Sequence, residues 1–393
     1  MKPVSVSLAE VRTLILNRFF EKISARHPSD PVAEALDRWG YIQIDTISRI
    51  TRAHHHALYN RIEGYSPVQL DDSVEQREVF EYWSHAAAYL PMNRFRYCLP
   101  RMERMRREAF FGMKLDAKLL KDVHDRIRDE GPLMSRDFKR PADSGGGQWW
   151  DWKPAKMALE ILFQQGRLLV AGRRNFQKLY ALPEDVLPEG IDTSLPDERE
   201  MASHIIDLSM KSQGISRWPH IKSQHKDGVS YIPRRIEEEL EDGSLISLDV
   251  DDSGIWYCRP SFLEGKPGES ESLRIVSPFD SLVINRPWLA ELFGVNYQIE
   301  CYVPAPKRRY GYFTLPIFTR EGFAGLLDAK AERVEGRFRI ISLHLVPGAW
   351  NVPAFDDALE SELQRFADFH KCPEIVWDEG SRKLYDAPAP SSR

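Results

Sequence analysis

The pattern best equipped for chemistry in this 393-residue chain is Gln43-Ile44-Asp45-Thr46. If Tyr41 to Asp45 is extended, Gln43 and Asp45 share one face and Ile42 and Ile44 the other, because side chains alternate across a strand. An amide and a carboxylate then reach the same pocket. Asp45 also precedes a possible helical turn and can serve as its N-cap. The two roles are compatible, since amides near a helix start favour an ionised carboxylate. A second pattern, His54-His55-His56, does not suit a metal. Neighbouring residues of a helix point about 100° apart, so the three imidazoles cannot converge on one ion, and no Cys or carboxylate ligands follow. Other catalytic signatures are missing. There is no G-x-S-x-G elbow, no P-loop and no dinucleotide fingerprint.

The composition sets the frame for these residues. Apolar residues make up 42%, charged residues 29%, and the net charge is −5. The mean hydropathy is −0.45. These values describe an ordinary globular chain, and the length suggests several domains. No run approaches the roughly 18 apolar residues of a membrane span. No apolar stretch of a secretory signal follows Met1-Lys2-Pro3-Val4-Ser5. Cys98, Cys258, Cys301 and Cys372 lie far apart and form neither a disulfide framework nor paired metal spacing. The expectation is a cytoplasmic protein without a structural metal. Net charge alone argues mildly against nucleic acid, but averages hide patches. From Arg94 to Lys121 there are nine basic residues against three acidic ones. Residues 184–200 and 237–252 are acidic instead. One basic face on an acidic protein is therefore expected, with a merely solvated helix surface as the plain alternative.

The elements that must position these residues repeat an order. Ser7 can cap a helix with Leu8, Val11, Ile15 and Phe19 on one face. Pro31 opens a second helix that ends at Gly40, Tyr41 to Asp45 is extended, and Arg52 to Glu63 is helical. Next come a helix around Val123 and Ile127, a short one at Ser135 to Phe138, a turn at Gly145-Gly146-Gly147, and a helix from Lys153 to Gln165. A hairpin then flanks Gly172-Arg173-Arg174-Asn175. Three helices followed by a two-stranded wing is the winged-helix order. It recurs with helices around Ile205, Trp218 to Gln224 and Ile236, and a hairpin turning at Asp251-Asp252-Ser253-Gly254. The acidic linker Pro183 to Asp197 separates the copies. From Leu273 onward strands are expected at Ile299 to Val303, Tyr310 to Leu315, Gly325 to Ala329 and Arg337 to Leu345, with a helix from Phe355 to Phe369.

Several stretches together resemble the bacterial winged-helix DNA glycosylases, the family of azinomycin-resistance and interstrand-crosslink-unhooking enzymes. They are Ile42 to Ile47, Glu81-Tyr82-Trp83-Ser84-His85-Ala86, Gly147 to Lys153, Arg173-Arg174-Asn175-Phe176-Gln177, Ser277-Pro278-Phe279-Asp280 and Glu300 through Tyr312. The resemblance spans about residues 5 to 375. It implies an α+β fold of three tandem winged-helix units plus a β-rich C-terminal domain around a concave DNA channel. The corresponding boundaries are 1–115, 116–183, 197–258 and 273–393. It implies an enzyme that hydrolyses the N-glycosidic bond of N7-alkylated purines and unhooks crosslinks, acting on double-stranded DNA, without cofactor, in the bacterial cytoplasm at the nucleoid. No lysine lies within Tyr41 to Ser48, so a monofunctional enzyme is expected. The family's catalytic pattern is Gln, an apolar residue, then Gln or Asp. Gln43 and Asp45 match the Gln-Asp version.

Charge then selects the expected DNA contacts: Arg101, Arg104, Arg106 and Arg107, the hairpin residues Arg173 and Arg174, and Lys307, Arg308 and Arg309. His54, His55, His56 and His85 are further candidates for stacking on DNA or donating to phosphate. Asp251 and Asp252 should make no equivalent contact. Two other functions fit parts of the pattern, a non-enzymatic DNA-binding regulator and an RNA-processing enzyme. Neither a symmetric-dimer element nor an effector domain is identifiable for the regulator.

Overall fold

The computed structural model describes residues 2–24, 30–108, 117–138, 152–223, 225, 228–251, 253–265, 273–349 and 354–386. The Gly145-Gly146-Gly147 turn, the Gly147 to Asp151 part of the Trp-rich stretch, Gln224 and Asp252 lie outside the described residues.

Local signals set the first elements. After β1 (Val4–Val6), Ser7 and Glu10 form a reciprocal capping box that opens α1 (Leu8–Phe20). The Asp30 carboxylate accepts from Val32 and Ala33 at the start of α2 (Pro31–Trp39), with Pro31 in the first turn. Gly40 ends α2 with φ of 89°, and a Cβ there would lie 2.4 Å from the Leu208 side chain. Only glycine meets both demands. The chain turns at once into β2 (Ile42–Gln43). Then come α3 (Ala53–Arg61), α4 (Pro67–Glu75), β3 (Val79–Trp83) and β4 (Ala87–Pro91), in a sheet ordered β2-β4-β3. The β3–β4 hairpin gives no clear signal in the sequence. Most of β3 is buried, its Glu81 included, so polar and apolar residues do not alternate along it.

The next stretch follows the expected order closely. A 3₁₀ stretch at Met92–Cys98 leads into α5 (Leu99–Arg107) and then α6 (Ala117–Glu130), β5 (Leu133–Met134) and α7 (Trp152–Gln164). A hairpin of β6 (Leu169–Arg174) and β7 (Gln177–Ala181) completes a sheet ordered β5-β7-β6. Its tip is Asn175-Phe176, with φ of 50° and 66°, so Arg173 and Arg174 sit on the strand below it. Left-handed backbone is strained for a residue as bulky as phenylalanine. Three neighbours hold Phe176 there. Arg52 lies 3.8 Å and Arg173 4.3 Å from its ring centre, and the His54 ring stacks parallel to it.

After α8 (Pro183–Val186) come α9 (Glu198–Gln213), β8 (Ile215–Ser216), α10 (Trp218–Ser223), α11 (Ile232–Glu241), β9 (Ile246–Val250) and β10 (Ile255–Cys258). Their sheet is ordered β1-β9-β10-β8, with β1 parallel to β9. The chain's start therefore joins the sheet of β8, β9 and β10. The acidic hairpin tip has an internal partner, because Asp251 accepts from the Leu8 N–H at 2.9 Å, at the positive end of α1.

The last part holds β11 (Leu273–Ile275), α12 (Ser281–Ile284), α13 (Arg286–Phe293), β12 (Leu315–Thr319), β13 (Gly322–Glu332), β14 (Arg337–Leu345), α14 (Phe355–Phe369), β15 (Glu374–Trp377) and β16 (Arg382–Leu384). The sheet runs β11-β12-β13-β14-β15, and β16 also pairs with β14. The helix from Phe355 to Phe369 stands where the sequence puts it. The expected strand at Ile299 to Val303 is absent, and of the one expected from Tyr310 only Leu315 enters β12. Residues 299–314 form a loop instead. Two buried carboxylates take up its amides: Glu300 accepts from Arg309, Tyr310 and Gly311, and Asp328 from Tyr312 and Phe313. A loop whose N–H groups are satisfied this way has no need of a neighbouring strand.

The packed cores cross the boundaries drawn from sequence. One core unites the β3–β4 hairpin, α5, α6, α7 and the β6–β7 hairpin. Another unites α1, β9, β10, α12 and α13 with Phe318 and Leu326 of the C-terminal sheet. Buried charges pin the crossings. Arg61 of α3 donates to Asp280 at 2.7 Å, and Arg274 of β11 donates to the carbonyls of Phe19, Phe20 and Asn60. Glu81 of β3 receives Nε and Nη2 of Arg173 at 2.7 and 2.8 Å, with Lys178 nearby.

Two consequences are measurable. Burial pushes the His56 imidazole down to about 4, against a carbonyl contact from Ile275 and the Asp280 charge that pull the other way. A lowered folded value means stability is whole above the ordinary histidine range and is lost as pH falls toward 4. Between pH 7.5 and 5 the cost is about 2 kcal/mol. Urea unfolding at the two pH values should show an acid-side loss to which His54, His55 and His85 also contribute, and His56→Gln should shrink it by about 2 kcal/mol. An equal acid-side loss in the variant rejects the assignment. Separately, Arg173→Ala should destabilise by about 3 kcal/mol, because a buried carboxylate loses its paired donors. Arg174→Ala, at an exposed position, should change stability by less than about 0.5 kcal/mol. Equal effects in urea unfolding would show that the Glu81 pairing carries no stability.

Candidate active site

Ile42 and Ile44 sit in a core with α2 and α3, whereas Ile47 and Ile50 pack into the core of the C-terminal sheet. Gln43 and Asp45 lie where the chain passes from one core to the other. The bend is made by Asp45 itself, whose Oδ1 accepts from the Ile47 N–H at 2.7 Å. This is a turn of the kind Asp and Asn make with their own backbone. It corrects the helix-cap reading, since no helix starts here. The next, α3, begins at Ala53 behind Arg52. The electrostatic expectation also changes. Burial raises the Asp45 carboxyl above the usual aspartate value, and the single backbone hydrogen bond offsets this only in part. Among the described residues, Oδ2 has no hydrogen-bond donor. The half-buried carboxylate keeps one oxygen for a ligand.

Gln43 pairs with Ala88 in the sheet, and its Oε1 lies 3.0 Å from His85 Nε2. His85 stands at the tip of the β3–β4 hairpin, where Ser84 N–H donates to Ala86. Burial pushes its imidazole down to about 4, so it is neutral at pH 7. With the amide oxygen facing the ring, only the tautomer protonated at Nε2 gives a bond. The Gln43 NH₂ is then directed away from His85. Sequence reasoning singled out His85 as a DNA contact. The structure gives it a different partner, and the signal was out of reach because the hairpin itself was not legible.

The other candidates divide into groups. Arg101 and Arg104 line a cavity of about 730 Å³ together with Trp83, His85, Arg94 and Arg286. Arg101 lies over the Trp83 ring, and Arg104 pairs with Glu108. Arg106 and Arg107 belong to the same helix but do not line this cavity. Arg106 donates to the Gln165 carbonyl, and Arg107 pairs with Glu103 on the exposed face. The basic helix and the Gln43 partner His85 thus meet one shared space. Arg173 is committed to Glu81 and to the Phe176 carbonyl, while Arg174 is exposed.

The histidine run is largely internal. His54 is buried against Phe176 and Tyr89, and burial first, then the neighbouring positive groups, holds it well below its usual range. His55 Nδ1 is 2.9 Å from the Tyr65 hydroxyl, and His56 Nε2 is 2.9 Å from the Ile275 carbonyl. The expectation that these three reach DNA is therefore corrected for buried His54 and His56. Their faces of α3 are used for packing. Among the described residues no group of His, Cys, Asp and Glu gathers as a metal site.

The loop at 299–314 is tied to the segment after Asp45, because Arg49 lies over the Tyr312 ring. Burial raises the Cys301 thiol, and the Asp45 charge adds to it. Arg308 donates to the Val303 carbonyl and lies over the Tyr312 ring, Arg309 pairs with Asp386, and Lys307 is exposed. Tyr302 beside Cys301 is 81% exposed, and sequence reasoning did not single it out.

Comparisons with known proteins agree with this architecture. The structure is similar to that of the Streptomyces sahachiroi DNA glycosylase AlkZ, with a TM-score of 0.61 over 95% of this chain and 100% of that one, at 14% identity. At that identity the likeness speaks for the fold. Residues 36–369 match the family model described as DNA glycosylase AlkZ-like, which takes in Gln43, Asp45, His85 and the loop at 299–314. A match over that much of the sequence, on the same α+β framework, places the chain in the AlkZ-like DNA glycosylase family.

Proposed function

We propose that the chain is a monofunctional DNA glycosylase that releases N7-alkylated purines from double-stranded DNA and unhooks interstrand crosslinks of that chemistry. In this reading the three helix-and-hairpin units are winged helices, and with the C-terminal sheet they line a concave DNA channel. The observation that carries it is the Gln43–Asp45 pair at the seam of two cores, with Gln43 fixed by His85 and Asp45 Oδ2 open.

N7-alkylation makes the purine cationic and a good leaving group. The C1′–N9 bond breaks with its electron pair going to the base, and positive charge develops at the sugar. A carboxylate that has lost water and gained no counter-charge is well suited to stabilise that charge. The Gln43 NH₂ donates to a water, the water oxygen bonds to C1′, and its proton passes to Asp45. Because the base is already cationic, no acid is required to protonate it, so one carboxylate suffices where sugar hydrolases commonly need a pair. Arg101, Arg104, Arg106, Arg107, Arg174 and Lys307 supply phosphate contacts, with Arg308 and Arg309 shaping the loop beside Asp45.

Single-turnover release of N7-methylguanine from a duplex oligonucleotide tests the reading. Wild-type protein should leave an abasic site. Asp45→Asn keeps size and the turn-forming oxygen but loses the charge, and should slow release by about 10²-fold or more while folding and DNA affinity hold. The rate should rise with pH through the Asp45 value, which lies above that of an ordinary aspartate, and then level off. The variant should lack that limb. Near-normal release by folded Asp45→Asn removes Asp45 from the chemistry. DNA binding without release by the wild type would favour a non-enzymatic regulator. Replacing Arg101, Arg104, Arg106 and Arg107 together with Gln should weaken binding and flatten its salt dependence by about one unit of slope per lost phosphate contact. An unchanged slope would leave that helix as a solvated surface.

A further inference from the structure

The loop carrying Tyr302 is exposed at its tip and rigid at its base. Glu300, 8% exposed, binds the three consecutive amides of Arg309, Tyr310 and Gly311. The Val303 N–H donates to the Glu300 carbonyl at 2.9 Å, closing a tight turn over Cys301 and Tyr302. Arg308 Nε donates back to the Val303 carbonyl at 2.9 Å, and its guanidinium lies over Tyr312. Asp328 takes the Tyr312 and Phe313 amides and pairs with Arg49, four residues after Asp45. Gly311 makes this possible, for a Cβ there would lie 2.3 Å from an Asp328 oxygen, and its φ of 152° lies where side chains are rarely tolerated. So much fixed hydrogen bonding holds out an aromatic ring that packs on almost nothing. A single exposed apolar residue usually needs no explanation. Here three further facts narrow the choice. The ring is aromatic. The loop is tied to the segment after Asp45, since Arg49 pairs with Asp328 and lies over the Tyr312 ring, and the Asp45 charge helps, after Cys301 and slight burial, to raise the Tyr302 phenol. The next cation along the loop, Lys307, is exposed.

We propose that Tyr302 stacks on a base beside the damaged nucleotide, acting as a wedge that holds the sugar of that nucleotide over Asp45. The proposal rests on the glycosylase reading and adds to it a substrate-contacting residue. A flat ring on a stiff loop loses little entropy on stacking, and any base offers a π-face, so the contact is insensitive to sequence. Side chains inserted between base steps open them at the cost of stacking, which the aromatic ring restores in part. The lesion strand is thus gripped between the wedge and the Gln43–His85 side.

The test uses the full chain and a duplex with N7-methylguanine next to 2-aminopurine, whose fluorescence reports local unstacking. An otherwise identical undamaged duplex is the control. Wild-type protein should change the fluorescence on binding. Tyr302→Ala should abolish that change and slow single-turnover release by about tenfold or more, the range of one base–aromatic stack. Tyr302→Phe should restore both, since the ring and not the hydroxyl does the stacking. The exposed position means that Tyr302→Ala should unfold at the wild-type denaturant midpoint. Release and fluorescence change at wild-type levels in Tyr302→Ala would overturn the wedge and leave the glycosylase reading intact. A Tyr302-dependent fluorescence change without any base release by the wild type would sustain the wedge and overturn the glycosylase reading. A Tyr302→Phe variant as impaired as Tyr302→Ala would also overturn the proposal, because stacking would not be the cause.

Discussion

Two buried guanidiniums at the junction of α3 and β11 constrain everything around them. Arg274 has no exposed surface and donates from both Nη atoms to the carbonyls of Phe19, Phe20 and Asn60. Arg61 is buried to a similar degree, lies over the rings of Phe19 and Trp39, and pairs with Asp280. An unpaired buried charge costs several kcal/mol. Neither arginine keeps these partners unless α1, α3 and the start of the C-terminal part are all in place. The start of the C-terminal part is thereby locked to α1 and α3, although more than two hundred residues separate the partners. Asn60 and His56 add two further contacts to the Ile275 carbonyl from the same helix.

That docking creates the seam in which Gln43 and Asp45 sit. The segment after β2 leaves one core and enters another, and a polar pair stays accessible at the crossing because neither core can absorb it. The three supports of the site come from different parts of the chain. Gln43 is oriented by a hairpin tip, Asp45 by its own turn, and the loop at 299–314 is tied to the segment after Asp45 through Arg49. The site's electrostatics follow from this geometry. His85 is neutral because it is buried, and Asp45 is a stronger base than usual for the same reason. Burial acts in opposite directions on the two groups, since it always disfavours the charged form.

Arginine serves two unlike purposes in this molecule. Arg61, Arg173 and Arg274 are staples between elements, and their forked donors suit paired carboxylate oxygens or adjacent carbonyls. Arg101 and Arg104 instead face a cavity, and Arg107 and Arg174 face solvent. The acidic Asp251 likewise has an internal duty at the start of α1. A charge census by segment detects a basic stretch but cannot separate these uses.

The sequence by itself determined whatever depends on neighbours along the chain. The capping box at Ser7 and Glu10, Pro31 at a helix start, the stop at Gly40 and the amphipathic helix from Phe355 to Phe369 all act over a few residues. The same holds for the order of helices before each recognised hairpin. Tertiary structure alone decided the rest. It decided that Asp45 closes a turn and caps no helix, that His85 holds Gln43, and that Arg173 is a staple while Arg174 is exposed. It also decided that residues 299–314 form a loop, because Glu300 and Asp328 outcompete any neighbouring strand for its amides. The physical reason is common to these cases. Apart from the Asp45 turn, whose partner is two residues on, the hydrogen-bond partners lie 9 to 92 positions away, and a polar group's role is fixed by which of those partners arrives once the cores have closed.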